Sequence, residues 1–205
     1  MPKIVNTAIL NDPRIKTISI LRLERELGPE RIASLIDDSL ALLVETAFDI
    51  FKGADITIRD LRPTDLPVPT NEEWVDASGG SDNAWDVMTM ANNTAIDDNL
   101  CIAIWGVRIL AVDVDLAPPV SLYRFTVGAA IRAFWNVTHL FSLNNAGTAA
   151  GEVHGINQGA YADSPIIVTQ NQTLQIEHYT IETSVTYRPV FLGAAAERVG
   201  RTLNP

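Results

Sequence analysis

Three histidines are the side chains in this sequence best suited to chemistry, and two have carboxylates close by, in Glu152-Val153-His154 and Glu177-His178, with His139 upstream. Brought together inside a barrel, imidazoles and carboxylates could ligate a transition metal or move protons near neutral pH. A barrel metal centre of that kind calls for a His-x-His pair followed by a Glu on one strand. Only Glu152-Val153-His154 approaches it. Ser81-Asp82-Asn83 matches one element of the penicillin-binding serine enzymes, whose nucleophile also needs Ser-x-x-Lys and Lys-Thr-Gly. Lysine occurs only at positions 3, 16 and 52, so neither partner exists. There is no Gly-x-Ser-x-Gly elbow and no phosphate-binding glycine loop, and the glycines at 151, 155 and 159 recur every four residues, a spacing that cradles no phosphate. No enzymatic activity and no cofactor is expected.

Carboxylates form the second candidate group. Between residues 65 and 98 stand Asp65, Glu72, Glu73, Asp76, Asp82, Asp86, Asp97 and Asp98, with no lysine or arginine among them. Hard oxygens could hold Ca²⁺, with Asp76, Asp82 and Asp86 as the candidates, although their spacing departs from the EF-hand rule. A solvated acidic face is the simpler reading. Three Asn-x-Thr sequons, at Asn92, Asn136 and Asn171, read as polar turns and strand edges. Trp74, Trp85, Trp105 and Trp135 could stack on a sugar ring or serve as core and anchor aromatics.

The elements that must position these groups can be read from periodicity and punctuation. Asp12-Pro13 and Gly28 bracket a candidate helix over 13–27, with a strand over Thr17 to Leu23 as the rival reading. Pro29 and Gly53 bracket a firmer one, in which Ile32, Leu35, Ile36, Leu40, Leu43, Ala47, Phe48 and Phe51 recur at helical spacing. Its apolar stripe needs a surface, either its own domain or a neighbouring subunit. Ile56 to Leu61 reads as a strand, and Pro63, Pro67 and Pro69 then open an irregular acidic region reaching to about Asn99. From Leu100 the pattern is β, with strands expected at Leu100 to Leu116 (bent at Gly106), Leu122 to Val127, Ala130 to Leu143, Ile166 to Thr169, Thr173 to Ile181 and Ser184 to Leu192. The fold class expected is α+β: N-terminal helices (1–62, with a short strand), an acidic irregular region (63–99), then an antiparallel β-sandwich or jelly-roll-like barrel (100–205), all in one compact unit.

Charge narrows the function. The chain of 205 residues carries a formal charge of -10, but residues 101–205 hold only seven acids and six arginines, with no lysine. That is about half the charge density usual in a soluble domain. An acidic chain with scattered cations offers no stripe for nucleic-acid phosphates, so no direct nucleic-acid binding is expected. No segment supplies an uninterrupted apolar run of membrane-spanning length, and no secretory signal is visible at Met1-Pro2-Lys3-Ile4-Val5, which points to synthesis in a cytoplasm. Cys101, alone in an apolar run, reads as core packing.

The stretch Ser164-Pro165-Ile166-Ile167-Val168-Thr169-Gln170-Asn171-Gln172-Thr173-Leu174-Gln175-Ile176-Glu177, in a half rich in Asn, Gln and Thr, resembles the β-barrel and jelly-roll virion proteins of bacterial and archaeal viruses. The resemblance covers roughly residues 100 to 193 and implies a structural subunit of a large symmetric assembly, in the virion, as a capsid, decoration or tail component. Its partners would be copies of itself and other virion proteins. Arg108, Arg124, Arg132 and Arg188 are the candidate interface anchors, since natural sheets guard exposed edges with lysine and this half has none. The alternatives are a β-sandwich binding module for carbohydrate or protein, then a metal-dependent barrel enzyme. One measurement follows from charge alone: raising ionic strength or adding millimolar Ca²⁺ should raise the melting temperature by relieving repulsion in the 65–98 stretch. An unchanged melting temperature would count against the crowded-carboxylate picture.

Overall fold

The computed structural model describes residues 15–17, 30–68, 73–112, 120–137, 159–181, 183 and 186–199. Nine strands and one α-helix are placed among them: β1 (Ile15–Thr17), α1 (Glu30–Ile50), β2 (Ile56–Asp60), β3 (Ala84–Ala95), β4 (Leu100–Val112), β5 (Val120–Val127), β6 (Ala130–Asn136), β7 (Ala160–Val168), β8 (Thr173–Thr180) and β9 (Tyr187–Arg198). The strands form two mostly antiparallel sheets, of order β1-β2-β9-β4-β7 and β3-β8-β5-β6. Within them the antiparallel pairs are nested, β5 with β6, β4 with β7, β3 with β8 and β2 with β9. Two further antiparallel ladders, β4 with β9 and β5 with β8, join these pairs side by side.

Strand β4 shows why the sheets stack as they do. Ile102 and Ile104 enter a core shared with the other sheet, while Cys101, Ala103 and Trp105 enter a second core beneath α1. Side chains of a strand alternate between faces, so one strand serves both cores. At Gly106 the β4–β9 ladder slips by one residue, and beyond it Val107 and Ile109 occupy the inter-sheet core. The slip reverses the alternation, as an inserted residue must. The bend expected at Gly106 is therefore a bulge, at a place where a Cβ would lie 2.9 Å from the Ala160 carbonyl oxygen.

The helix covers the outer face of the first sheet. Ile36, Leu40, Leu43, Val44, Ala47 and Phe51 pack on Ile56, Ile58, Cys101, Ala103, Trp105, Ala194 and Ala196. Small residues on β9 and β4 let the bulky helix stripe sit close to the sheet. The helix stops through Lys52 and Gly53, both at positive φ, with the Gly53 amide donating to the Phe48 carbonyl at 2.9 Å. That is the six-to-one bond of a glycine-terminated helix end.

Three readings of the sequence change. Ile15–Thr17, placed inside the helix expected over 13–27, is a strand paired in parallel with β2, and the rest of that segment lies outside the described residues. The region read as irregular, 63–99, contains the twelve-residue strand β3, whose pairing with β8 breaks register between Val87 and Asn92 and again between Asn92 and Thr94. Those interruptions hide the alternation that identifies a strand. Its acids are also less exposed to one another than their spacing implied. Asp65 is buried and accepts two hydrogen bonds from Arg59, at 2.6 and 2.7 Å, and one from the Arg62 amide, while Asp76 pairs with Arg188. The strands expected from Thr173 to Leu192 supply β8 and β9, each of which has a neighbour on both sides. No transmembrane-length apolar helix occurs among the described residues.

Gly193 is the tightest point of the β4–β9 ladder, since a Cβ there would stand 2.1 Å from the Ala103 carbonyl oxygen. Gly193→Ala must push the two strands apart, and a loss of about 3 kcal/mol is expected in urea unfolding. A loss below about 1 kcal/mol would show that the ladder can shift to accept the methyl group.

Candidate functional site

Polar groups within the inter-sheet core form one chain. The Tyr123 hydroxyl on β5 donates to the Tyr187 hydroxyl on β9 at 3.1 Å, and the Tyr187 hydroxyl lies 2.5 Å from His178 Nδ1 on β8. All three residues are buried, so these bonds tie the two sheets together where water cannot substitute. Burial raises both phenols above their usual range, for Tyr123 reinforced by the neighbouring Tyr187. It lowers His178, against a smaller opposing pull from Asp86. The neutral imidazole suits the geometry: with Nδ1 as acceptor, the two hydroxyls donate in one direction, Tyr123 to Tyr187 and Tyr187 to His178. The two bonds make a structural junction between the sheets.

The other sequence candidates are dispersed. His139, His154 and Glu152 lie outside the described residues. Asp76 pairs with Arg188 at 2.7 Å; Asp82 accepts from the Thr183 amide at 2.9 Å; Asp86 accepts from the Gly80 amide and the Thr180 hydroxyl. Bonds from Thr183 hold the Asp82 carboxyl below the usual range. The three carboxylates are thus committed to separate partners, and among the described residues no three His, Cys, Asp or Glu side chains gather as a ligand set. Cys101 is buried beneath α1, and burial pushes its thiol up to about 11. Trp105 and Trp135 are buried, and Trp74 packs edge-on against Phe191.

Of the four arginines expected at an interface, Arg108 donates to the Tyr161 hydroxyl and Arg188 is tied to Asp76. Arg124 and Arg132 share a face, the outer side of the β3-β8-β5-β6 sheet. Register lays that face out in rows: Trp85, Tyr179, Leu122 and Asn136; then Val87, Glu177, Arg124 and Phe134; then Asn92, Gln175, Thr126 and Ile131. Arg124 grips Glu177 with two hydrogen bonds and lies 4.4 Å above the Trp85 ring, which also meets Phe134 and Tyr179 edge-on. The twelve positions carry one carboxylate, and it is neutralised.

The contrast with the other sheet is the main feature of the surface. There α1 buries the outer face, whereas here no described element covers it. Phe134 is 57% exposed, Ile131 54% and Val87 42%. Among the described residues only one other large apolar side chain, Val199, is exposed at all comparably. An open cleft of about 340 Å³ borders this face, between β6 and β7, lined by Phe134, Asn136, Tyr161 and Asp163 among others. Residue types on β6 announce neither feature, because which face of a strand is covered depends on what packs there. No protein-family model, curated protein or solved structure matches this chain.

The His178 junction has a pH signature. A histidine held neutral in the folded state and titrating near 6.5 when unfolded keeps its full contribution above that value and loses it as pH falls through the lower folded value. The wild type should therefore lose more melting temperature between pH 7 and 5 than His178→Gln, which accepts the Tyr187 hydroxyl but cannot titrate. A gap between the two proteins that does not change with pH would overturn this.

Proposed function

We propose that the protein is a structural subunit of a large symmetric assembly, a virion component, built on a jelly roll. Nested antiparallel pairing supports the fold: strands β2 to β9 pair as one long ribbon folded at the β5–β6 turn, and rolling that ribbon brings β9 beside β4 and β8 beside β5. Rolled ribbons of eight strands, two Greek keys, are the jelly roll of many capsid subunits. The α+β label fits less well, since among the described residues one α-helix accompanies nine strands.

Fold alone carries no function. The observation that carries this reading is the charge-neutral outer face of the β3-β8-β5-β6 sheet, which no described element covers, on a chain whose net charge is -10. Soluble monomers seldom leave adjoining aromatic and aliphatic side chains in water without a partner for them. A carbohydrate-binding module would draw on the same aromatics, but the Arg124 guanidinium occupies one side of the Trp85 ring. Copies of the chain and other virion proteins are the partners expected, with no cofactor and no catalysis.

Electron microscopy and native mass spectrometry of the purified chain should find rings, sheets or closed particles of fixed copy number, and the same protein should be present in purified virus particles. A monodisperse monomer throughout the micromolar range, absent from particles, would overturn the proposal.

A further inference from the structure

Resting on that reading, we infer that two copies of the chain join face to face through the outer side of the β3-β8-β5-β6 sheet, related by a two-fold axis, with Phe134, Ile131 and Val87 at the centre of the contact. Three observations converge on a second copy as the occupant. First, the two sheets are unequally covered: the helix shields one outer face and no described element shields the other. Second, an apolar row is best desolvated by another apolar row. Three of the four exposed large hydrophobic side chains among the described residues lie here, so within this chain the matching surface is the same face of another copy.

Third, electrostatics permits the approach here. Two copies carrying -10 each repel through their acidic surfaces. On this face the Glu177 carboxylate is held by Arg124, and Arg132, exposed on β6, is the remaining charge, so the rows listed above and Arg132 sum to +1. The contact removes apolar surface from water without bringing carboxylates together. Arg132 is the residue inserted at the β6 bulge, where Thr126 faces Ile131 and Phe125 faces Ala133, on the edge strand of the sheet.

Area sets the strength. Four strands spaced about 4.8 Å apart, each presenting about seven residues, offer about 450 Å² per copy. Stable pairs bury about 800 Å² per partner, so this contact is weak alone and gains its hold alongside others in the assembly.

The test measures self-association of the full chain by sedimentation velocity and light scattering from one to several hundred micromolar. Phe134→Glu sets like charges against each other across the two-fold axis, and Arg132→Glu reverses the charge of an exposed side chain whose loss leaves the core untouched. Either is expected to weaken association by roughly tenfold or more, with an unchanged melting curve. Val199→Glu, the same kind of change at the exposed hydrophobic residue away from the face, should leave association as in the wild type. Amide exchange along β5 and β6 side chains' flanking backbone should slow as the wild type assembles.

If the wild type associates and folded Phe134→Glu and Arg132→Glu associate equally well, this contact is wrong while the assembly reading stands. Equal weakening by Val199→Glu would also overturn it, by showing a general response to added negative charge. A wild type that stays monomeric throughout would sink both.

Discussion

The ladder between β4 and β9 is the constraint on which the rest of the molecule depends. Both of its faces are buried, one by the helix and one by the second sheet. A strand buried on both sides cannot separate its faces into apolar and polar, and here it separates them by size instead. Toward α1 it presents Cys101, Ala103, Ala194 and Ala196, with Trp105 and Leu192 as the large exceptions, and toward the second sheet it presents Ile102, Ile104 and Phe191, with Ala195 as the small one. Small side chains let the helix approach; large ones fill the gap to the opposing sheet, where Phe191 meets Tyr123 and Phe125 edge-on.

Polar groups enter these cores only in bonded sets. Tyr123, Tyr187 and His178 satisfy one another across the sheets, and Asp65 is matched to Arg59, which also reaches Glu197 at 3.3 Å. Removing one member of either set would strand a buried donor or acceptor, at a cost of about 1–3 kcal/mol for a neutral group and more for a charge. Such sets contribute less to net stability than to register. A slip of β9 by one residue would move Tyr187 out of reach of both its partners.

Rigidity of this kind is what the proposed contact through the outer face of the second sheet would draw on. Its strands are held from behind by the Tyr123, Phe125, Trp135 and Ile176 side of the core, so the rows in front keep their spacing with no partner present. Arg124 adds to this by bracing Glu177 and Trp85 on the solvent side. A preorganised face gives up little side-chain freedom on binding, which matters most where the contact area is modest.

Local patterns were legible in the sequence because their causes are local. The helix from Glu30 to Ile50, its end at Lys52 and Gly53, the bulge at Gly106 and the buried state of Cys101 follow from periodicity, left-handed backbone at a turn, or an unbroken apolar run. Strand β3 was not legible, because its register breaks erase the alternation on which strand reading depends. Ion pairing across distance was equally hidden: Asp76 finds Arg188 over 112 positions, and Glu177 finds Arg124 over 53. What the sequence determined by itself was the β character and the low charge of the second half. Which strands became interior, which sheet face the helix covered and which it left bare were decided by tertiary pairing alone, since a strand's residues state that it has two faces and not what will lie against either.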